Sequence, residues 1–228
     1  MAGFGFYLLF FIPPLVLGLL VQGWLKKTVN QEMTVPVANA LTGAQVAREI
    51  LDRNGLHGVP IDRAAGGPLS DNYDPRKRAL FLSAPVYDGR SVASTAIAAH
   101  EVGHAIQHAK AYKPMQARSA LFPVVAFASN TWSLLLIAGF LLHAVGLIQV
   151  AVVLFAAIVL FQLVTLPVEF DASRRALGQI TELGLVSPGE HRGARKVLKA
   201  AAMTYVAGAL SAISMLAYYL LAFFGGRR

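Results

Sequence analysis

The stretch from Ala98 to His108 contains the spacing H-E-x-x-H, formed by His100, Glu101 and His104. On a helix, side chains four residues apart leave the same face, about 6 Å apart along the axis. Two neutral imidazoles can hold Zn²⁺, which then needs one more protein ligand and a water. Glu101 can reach that water without binding the metal, so the spacing predicts a zinc site with Glu101 as its general base.

The composition indicates a membrane protein. Of the 228 residues, 56% are hydrophobic and 14% are charged, and the mean hydropathy is +0.55. Ordinary soluble domains are more polar. The chain has no cysteine, so no thiolate can bind a metal. The net charge of +8 comes without a nucleic-acid-binding motif, so we expect no nucleic-acid partner and expect the charge to set membrane topology.

Four apolar stretches are long enough to cross a bilayer. They run from Phe4 to Leu25, from Leu121 to Leu142, from about Gly146 to Leu166 and from Ala201 to Phe224. The first has neither a basic start nor a small-residue cleavage site, which favours an uncleaved signal anchor. The chain then divides into a signal anchor (1–25), a catalytic segment with the motif (26–118), a transmembrane hairpin (119–166), a second catalytic-side segment (167–200) and a fourth span with a C-terminal tail (201–228).

The 26–118 segment carries signals for both helices and strands. Thr42 is a predicted N-cap for a helix that Gly55 ends. Short extended stretches predict strands at Val59–Asp62 and Ala79–Ser83, with a turn at 73–78 between extended segments. Ser91 is a predicted N-cap for the motif helix, which runs to about residue 110. We expect a strand such as 79–83 to bind substrate backbone by strand addition.

Four spans place both polar segments on one side of the membrane. The termini and a tight connection around His143 then lie on the other side. Cations near the spans are concentrated on the first side, namely Lys26, Lys27, Arg118, Arg174, Arg175, Lys196 and Lys199, against Arg227 and Arg228. Because Lys and Arg collect on the cytoplasmic side, we predict a mainly α multi-pass protein of the inner or plasma membrane. It has four transmembrane helices and a cytoplasmic α+β zincin-like catalytic segment.

The third metal ligand is expected from a second helix. Position 110, where a third histidine would indicate another class of zinc protease, is Lys110. Glu169 lies at the cytoplasmic end of the third span, which runs antiparallel to the span that follows the motif helix. Both can therefore reach one pocket. We predict one Zn²⁺ per chain, with Glu169 completing the set begun by His100 and His104.

Several other polar residues have more than one interpretation. His108 falls one turn beyond His104 and is either a support or substrate contact of the site or a surface histidine. The developing oxyanion needs a further donor, for which Tyr73 and Tyr205 are both candidates. The basic run 76–78 indicates a solvated turn or a lipid-headgroup contact rather than a substrate site.

Five stretches together carry a resemblance that covers nearly the whole chain. They are LTGAQVAR (41–48), DNYDP (71–75), AHEVGHAIQH (99–108), LPVEFDAS (166–173) and VLKAAAMTYV (197–206). The chain resembles the neutral zinc metallopeptidases of bacterial membranes (the YugP type). The resemblance implies a multi-pass zinc peptidase in which the Glu of an E-x-x-x-D helix, here Glu169, completes the metal site. The E-x-x-x-D pattern is that of related membrane proteases of the CaaX and HtpX types, and this sequence departs from it at Ser173, where Asp is expected. It departs from the family at Asn72, where His is expected.

The predicted function is that of a membrane-embedded zinc metalloendopeptidase. It would hydrolyse peptide bonds of a protein or peptide substrate, membrane proteins included, at the cytoplasmic surface of the bilayer. Two other functions are also considered. One is an intramembrane protease whose motif helix itself spans the bilayer, at the high cost of burying four ionisable side chains in lipid. The other is a non-catalytic, zinc-stabilised membrane scaffold or chaperone-like protein.

Overall fold

The computed structural model describes residues 4–224, within which the chain forms seven helices and one small sheet. The elements are α1 (Phe4–Met33), α2 (Gly43–Arg53), β1 (Ile61–Arg63), β2 (Asn72–Asp74), β3 (Ala79–Leu82), α3 (Ala84–Tyr87), α4 (Val92–Ala109), α5 (Lys113–Leu141), α6 (Val145–Glu182) and α7 (Pro188–Phe224). The prediction of a mainly α-helical protein is confirmed. Arg227 and Arg228, which enter the argument on sidedness, lie outside the described residues.

Four of these helices are long and apolar enough to cross a membrane, as the sequence predicts. They cover Gly5–Met33, Lys113–Leu141, Val145–Glu182 and Pro188–Phe223. Each predicted apolar span lies at one end of a longer helix. The clearest case is α6, which continues through Pro167 for fifteen residues beyond it. The continuation has an apolar stripe of buried residues four apart, namely Val168, Ala172, Ala176 and Ile180, which is the spacing of one helix face.

The chain divides into two compact units, and α1, α6 and α7 contribute residues to both. In the described chain, the first, the helical unit, contains residues 4–21, 114–167 and 204–224. Its interior is aromatic, with Trp132 4.7 Å from Phe155 between ring centroids. Its outer surface carries apolar side chains that are largely exposed, such as Leu134 (66%), Leu141 (74%) and Val153 (68%). Exposed apolar surface of this extent fits contact with lipid rather than water.

The second unit, the sheet unit, contains residues 22–113 and 168–203. Its core packs α2, β3 and α4 with the inner faces of α6 and α7, through buried residues such as Ile50, Leu80, Val102, Ile180 and Val197. The predicted limits of α2 are confirmed. Thr42 and Gln45 form a capping box at its start, and Gly55 follows its end with φ +71°. A positive φ costs little at glycine, so the chain can turn sharply there.

The sheet has the strand order β1-β3-β2, with β1 parallel and β2 antiparallel to β3. The two predicted strands are present, within a residue or two, as β1 and β3. The expectation that 79–83 binds substrate backbone is wrong, because β3 is the central strand and its backbone groups are used by neighbours on both sides. The predicted turn at 73–78 is shorter in the structure, because Tyr73 and Asp74 belong to β2, a strand that the sequence pattern did not reveal. In the described part of the chain β2 is an edge strand.

Candidate metal centre

The motif helix α4 begins where the sequence predicts. Ser91 caps it, because the Ser91 hydroxyl accepts a hydrogen bond from the Ser94 backbone N–H at 3.1 Å. The Ser94 hydroxyl in turn accepts from the Ser91 backbone N–H at 2.8 Å. Most of the helix is buried, and small residues such as Ala96 and Ala99 form much of its contact surface. The cap and this packing fix the helix as a rigid base for the histidines.

Gly103, inside the motif, allows α4 to lie against α6. A Cβ atom at position 103 would meet the Ala172 carbonyl oxygen at 2.6 Å and the Ala172 Cα at 3.1 Å. The two backbones are therefore closer than any side chain at this position would permit. Glu169 lies three residues before Ala172 on α6, so this close approach brings its carboxylate to the histidines of α4.

Gly103→Ala is expected to destabilise the protein and to weaken its zinc site. The added methyl group would push apart two helix backbones, and overpacking of this kind costs about 1–3 kcal/mol. Thermal unfolding and zinc content of the purified full chain measure both effects. The matched control is Gly178→Ala on α6, where the nearest atom to an added Cβ is the Glu182 carboxylate oxygen at 3.9 Å. Equal behaviour of the two variants would contradict this account of Gly103.

His100, His104 and Glu169 converge, with one ligand atom from each within 4.8 Å of the others. Glu169 Oε2 lies 3.2 Å from His100 Nε2 and 3.6 Å from His104 Nε2. Ligands about 2.0–2.1 Å from a tetrahedral zinc lie roughly 3.3 Å from one another. The Glu169 side chain is only 2% exposed, and a buried carboxylate needs a nearby positive charge. In spacing, burial and donor type, the three residues fit Zn²⁺.

Hydrogen bonds at the far side of each imidazole orient its Nε2 toward the shared carboxylate. His104 Nδ1 lies 3.0 Å from the Gln107 amide oxygen. The Gln107 amide nitrogen donates to the Val168 carbonyl at 2.8 Å, which fixes its oxygen as the acceptor. Ser173 Oγ lies 3.3 Å from His100 Nδ1. With the protons on Nδ1, both Nε2 atoms keep lone pairs for a metal.

A chain of polar contacts supports His104 from α6. Gln107 is fully buried, and its amide nitrogen also donates to Asp171 Oδ2 at 2.9 Å. Arg175 Nε donates to the same oxygen at 2.6 Å. Gln107 does not stand out in the sequence, although its place three residues after His104, on the same helix face, is a usable signal. Asp171 thus acts through Gln107, whereas Ser173 contacts His100 directly.

Gln107→Leu is expected to weaken zinc binding about 10- to 100-fold, the usual effect of losing a side chain that orients a metal-bound histidine. The substitution leaves the His104 N–H and the Val168 carbonyl without their partner. Competition with a zinc-binding dye gives the affinity. Gln179→Leu is the control, because Gln179 makes its hydrogen bond to Asn54 rather than to a metal ligand. Unchanged affinity in Gln107→Leu would show that the contact does not support the site.

Glu101 lies beside the three candidate ligands but is not one of them. Glu101 is only 8% exposed, and this burial raises the pKa of its carboxyl to about 7. The charge of His100 opposes the rise in pKa, and that of Glu169 adds to it. The backbone N–H of Tyr73 on β2 donates to this carboxylate. A carboxylate with a pKa close to neutral both accepts and returns a proton readily.

Tyr73 and His108 form a pair next to Glu101. The Tyr73 hydroxyl lies 2.8 Å from His108 Nδ1. Burial raises the pKa of the Tyr73 phenol, so the hydroxyl keeps its proton at neutral pH. His108 therefore contacts Tyr73 and is not part of the metal-binding set. Tyr205, the second candidate for an oxyanion donor, belongs to the helical unit.

Comparison with known proteins identifies the family of the chain. The family model described as "Putative neutral zinc metallopeptidase" matches residues 7–224. A relative from Bacillus subtilis (strain 168), named "Putative membrane protease YugP", is 44% identical over 216 residues, which cover 95% of this chain and 96% of the relative. No solved structure is significantly similar to the chain. The resemblance stated from the sequence is confirmed, and the chain belongs to the neutral zinc metallopeptidase family.

Proposed function

We propose that this protein is a zinc-dependent metalloendopeptidase that hydrolyses peptide bonds at the cytoplasmic surface of the membrane. The observation that carries the proposal is the convergence of His100, His104 and Glu169 beside Glu101. A structural zinc site needs four protein ligands, whereas a catalytic site leaves a position open. Among the described residues, the group that could hold the metal has three members. Glu101, the buried carboxylate beside it, is not one of them. This arrangement favours catalysis over a purely structural metal.

In the proposed reaction the protein supplies orientation and proton transfer. Zinc held by the three side chains would polarise the scissile carbonyl and acidify the attacking water. Glu101 accepts the proton of that water and passes it to the leaving nitrogen. Gln107 and Ser173 keep the two imidazoles in the required orientation. Burial of the site reduces competition from bulk solvent for these groups.

The substrate is proposed to lie along the free edge of β2. The Leu80 N–H donates to the Pro60 carbonyl at 2.9 Å, on the β1 side. Leu80 is paired with Tyr73, so the Tyr73 N–H and C=O point away from β3. The outward side of β2 thus lies against Glu101. Because the Tyr73 N–H already donates to Glu101, a peptide added to this edge would pair with the Tyr73 C=O, next to the catalytic carboxylate.

The proposal is tested by hydrolysis. The full chain, purified in detergent and loaded with zinc, is incubated with a broad panel of peptides and unfolded membrane proteins, with and without a chelator. Expected are new N-termini within the substrates, absent when the chelator is present and restored by added zinc. Metal binding without cleavage of any substrate would favour the scaffold alternative. The intramembrane alternative gains no support from the fold, since α4 is not one of the four helices apolar and long enough to span a membrane.

The cytoplasmic position of the site has its own test. The chain has no cysteine, so single cysteines can be introduced at the exposed positions Lys77, Ala111 and His143. With an impermeant thiol reagent on intact cells, only His143→Cys is expected to be labelled. Lys77→Cys and Ala111→Cys should react only after the membrane is opened. Labelling of Lys77→Cys and Ala111→Cys from opposite sides would show that α4 spans the bilayer and refute the proposed arrangement.

A further inference from the structure

A recess of about 470 Å³ adjoins the proposed catalytic residues within the sheet unit. Its walls come from three places: the end of α4, the loop that follows α2, and the hairpin between β2 and β3. Ala105, His108 and Ala109 line it from α4, one to five residues beyond the end of the motif. Tyr73 also lines it, and the backbone N–H of the same residue donates to Glu101. An occupant of the recess would therefore lie next to the proposed catalytic carboxylate.

The polar groups of the recess are basic or neutral. Arg78, Tyr73 and His108 are its polar side chains, and none of the lining residues is acidic. Apolar side chains such as Leu56 and Val59 supply the remaining walls. Two glycines of the loop after α2, Gly55 and Gly58, leave the entrance open on that side. The positive charge and neutral polar groups of these walls suit a small anionic group attached to an extended chain.

The Arg78 guanidinium has no carboxylate partner among the described residues. The nearest acidic residue of the hairpin, Asp74, instead accepts from the backbone N–H groups of Arg76 and Lys77, at 2.8 and 3.2 Å. Arg78 lies close enough to Tyr73 to act on its hydroxyl electrostatically. Its positive charge is thus available to a ligand in the recess.

The backbone of Arg78 indicates that its side chain matters. Its φ of +52° closes the hairpin in the left-handed region, where glycine or asparagine would be less strained. The turn alone therefore does not account for an arginine here. A strained residue next to a proposed site supports a functional role, provided that an experiment tests it.

We propose that this recess, the Arg78 recess, binds a carboxylate of the substrate and so makes the enzyme select acidic peptides. The carboxylate is that of a Glu or Asp side chain or that of a free C-terminus. Arg78 pairs with it, and the Tyr73–His108 pair contributes a further donor. This inference rests on the proposed function, because it specifies the substrate of the same site.

The test is a binding measurement that does not depend on turnover. The full chain carrying Glu101→Gln is loaded with zinc and titrated with fluorescent peptides from a pooled neutral library. One position at a time is set to Glu or to Gln, and each peptide is made with a free or an amidated C-terminus. Expected is a roughly three- to tenfold tighter binding of one acidic form, a size suited to a solvent-accessible ion pair. Comparison of the Glu and free-terminus arms identifies which carboxylate is bound.

Variants at position 78 assign the preference to the recess. Arg78→Gln should abolish the preference for the acidic peptide, and Arg78→Lys should retain part of it. Lys77→Gln is the matched control, since it removes an equal charge from the same hairpin. The Lys77 ammonium lies over the Phe81 ring, 5.2 Å from its centroid, and does not line the recess. This control should keep the preference.

Three outcomes would overturn the proposal: no preference for acidic peptides, a preference that survives in Arg78→Gln, or no peptide binding. In a fourth outcome, Arg78→Gln binds fluorescent phosphatidylglycerol less tightly than the parent protein does, while its binding of peptides is unchanged. That result would also overturn the proposal and would assign the recess to a lipid headgroup. Cleavage by the wild type without an acidic preference would refute this inference alone. An acidic preference without any cleavage would refute the proposed function and leave the recess as a peptide-binding site.

Discussion

Glu101→Gln is expected to lower the rate of peptide hydrolysis about 10²- to 10⁴-fold, the range attributed to general acid–base catalysis. Glutamine has nearly the same shape but cannot accept a proton from the attacking water. Zinc content should not change, because Glu101 is not among the three converging ligands. Stability should not fall either, since an uncharged amide is easier to bury than a carboxylate. Turnover, metal content and thermal unfolding of the same preparation separate these effects.

The matched control for this prediction is Glu49→Gln. It makes the same chemical change at an exposed position on α2, where Glu49 pairs with Arg53, and turnover should match the wild type. If Glu101→Gln hydrolysed peptides at the wild-type rate, Glu101 could not be the base. If the variant lost its zinc, the distinction between base and ligand would fail.

Replacement of a metal ligand is expected to have the second large effect, which is on how zinc stabilises the folded protein. Zinc that binds only the folded protein stabilises it by about 4 kcal/mol when its concentration is 1,000 times the dissociation constant. For a chain of about this size, that corresponds to a shift in unfolding temperature of roughly 8–16 °C. A chelator should therefore lower the unfolding temperature of the wild type by this amount. In Glu169→Gln and His104→Ala the chelator should have little effect, because these variants bind zinc weakly from the start.

Thermal unfolding with and without chelator, followed by metal analysis, measures this coupling. Glu182→Gln on the exposed end of α6 is the control and should respond to chelator as the wild type does. A wild-type protein indifferent to chelation would argue against a zinc site joining α4 and α6. A full chelator response in Glu169→Gln would show that Glu169 is not a ligand.

The convergence of His100, His104 and Glu169 could be predicted from the sequence because it depends largely on local spacing. His100 and His104 share a face of any helix that contains them, and their capped helix was predictable from Ser91. Glu169 required one further step, the antiparallel order of two membrane spans. The first inference uses the spacing of residues along one helix. The second uses the order in which consecutive helices cross the bilayer.

The surroundings of the site were not predictable because they depend on tertiary contacts. Gln107 is an ordinary polar residue in the sequence, and only the packing of α6 shows its amide between His104 and Asp171. The strand β2 is three residues long and carries no hydrophobic alternation. The basic turn at 76–78 is exposed, as the sequence predicts, but only the tertiary contacts show that Arg78 also lines a recess with Tyr73. Such features depend on which segments meet after folding.

The order of the ligands along the chain has a consequence for biosynthesis. His104 and Glu169 are separated by 169 − 104 = 65 residues, which include all of α5 and the first part of α6. At about 5–20 residues per second, a ribosome needs roughly 3 to 13 s to cover this distance. Until then a nascent chain has only two of the three ligands. The proposed hydrolytic centre is therefore completed only after the helices between them have been synthesised.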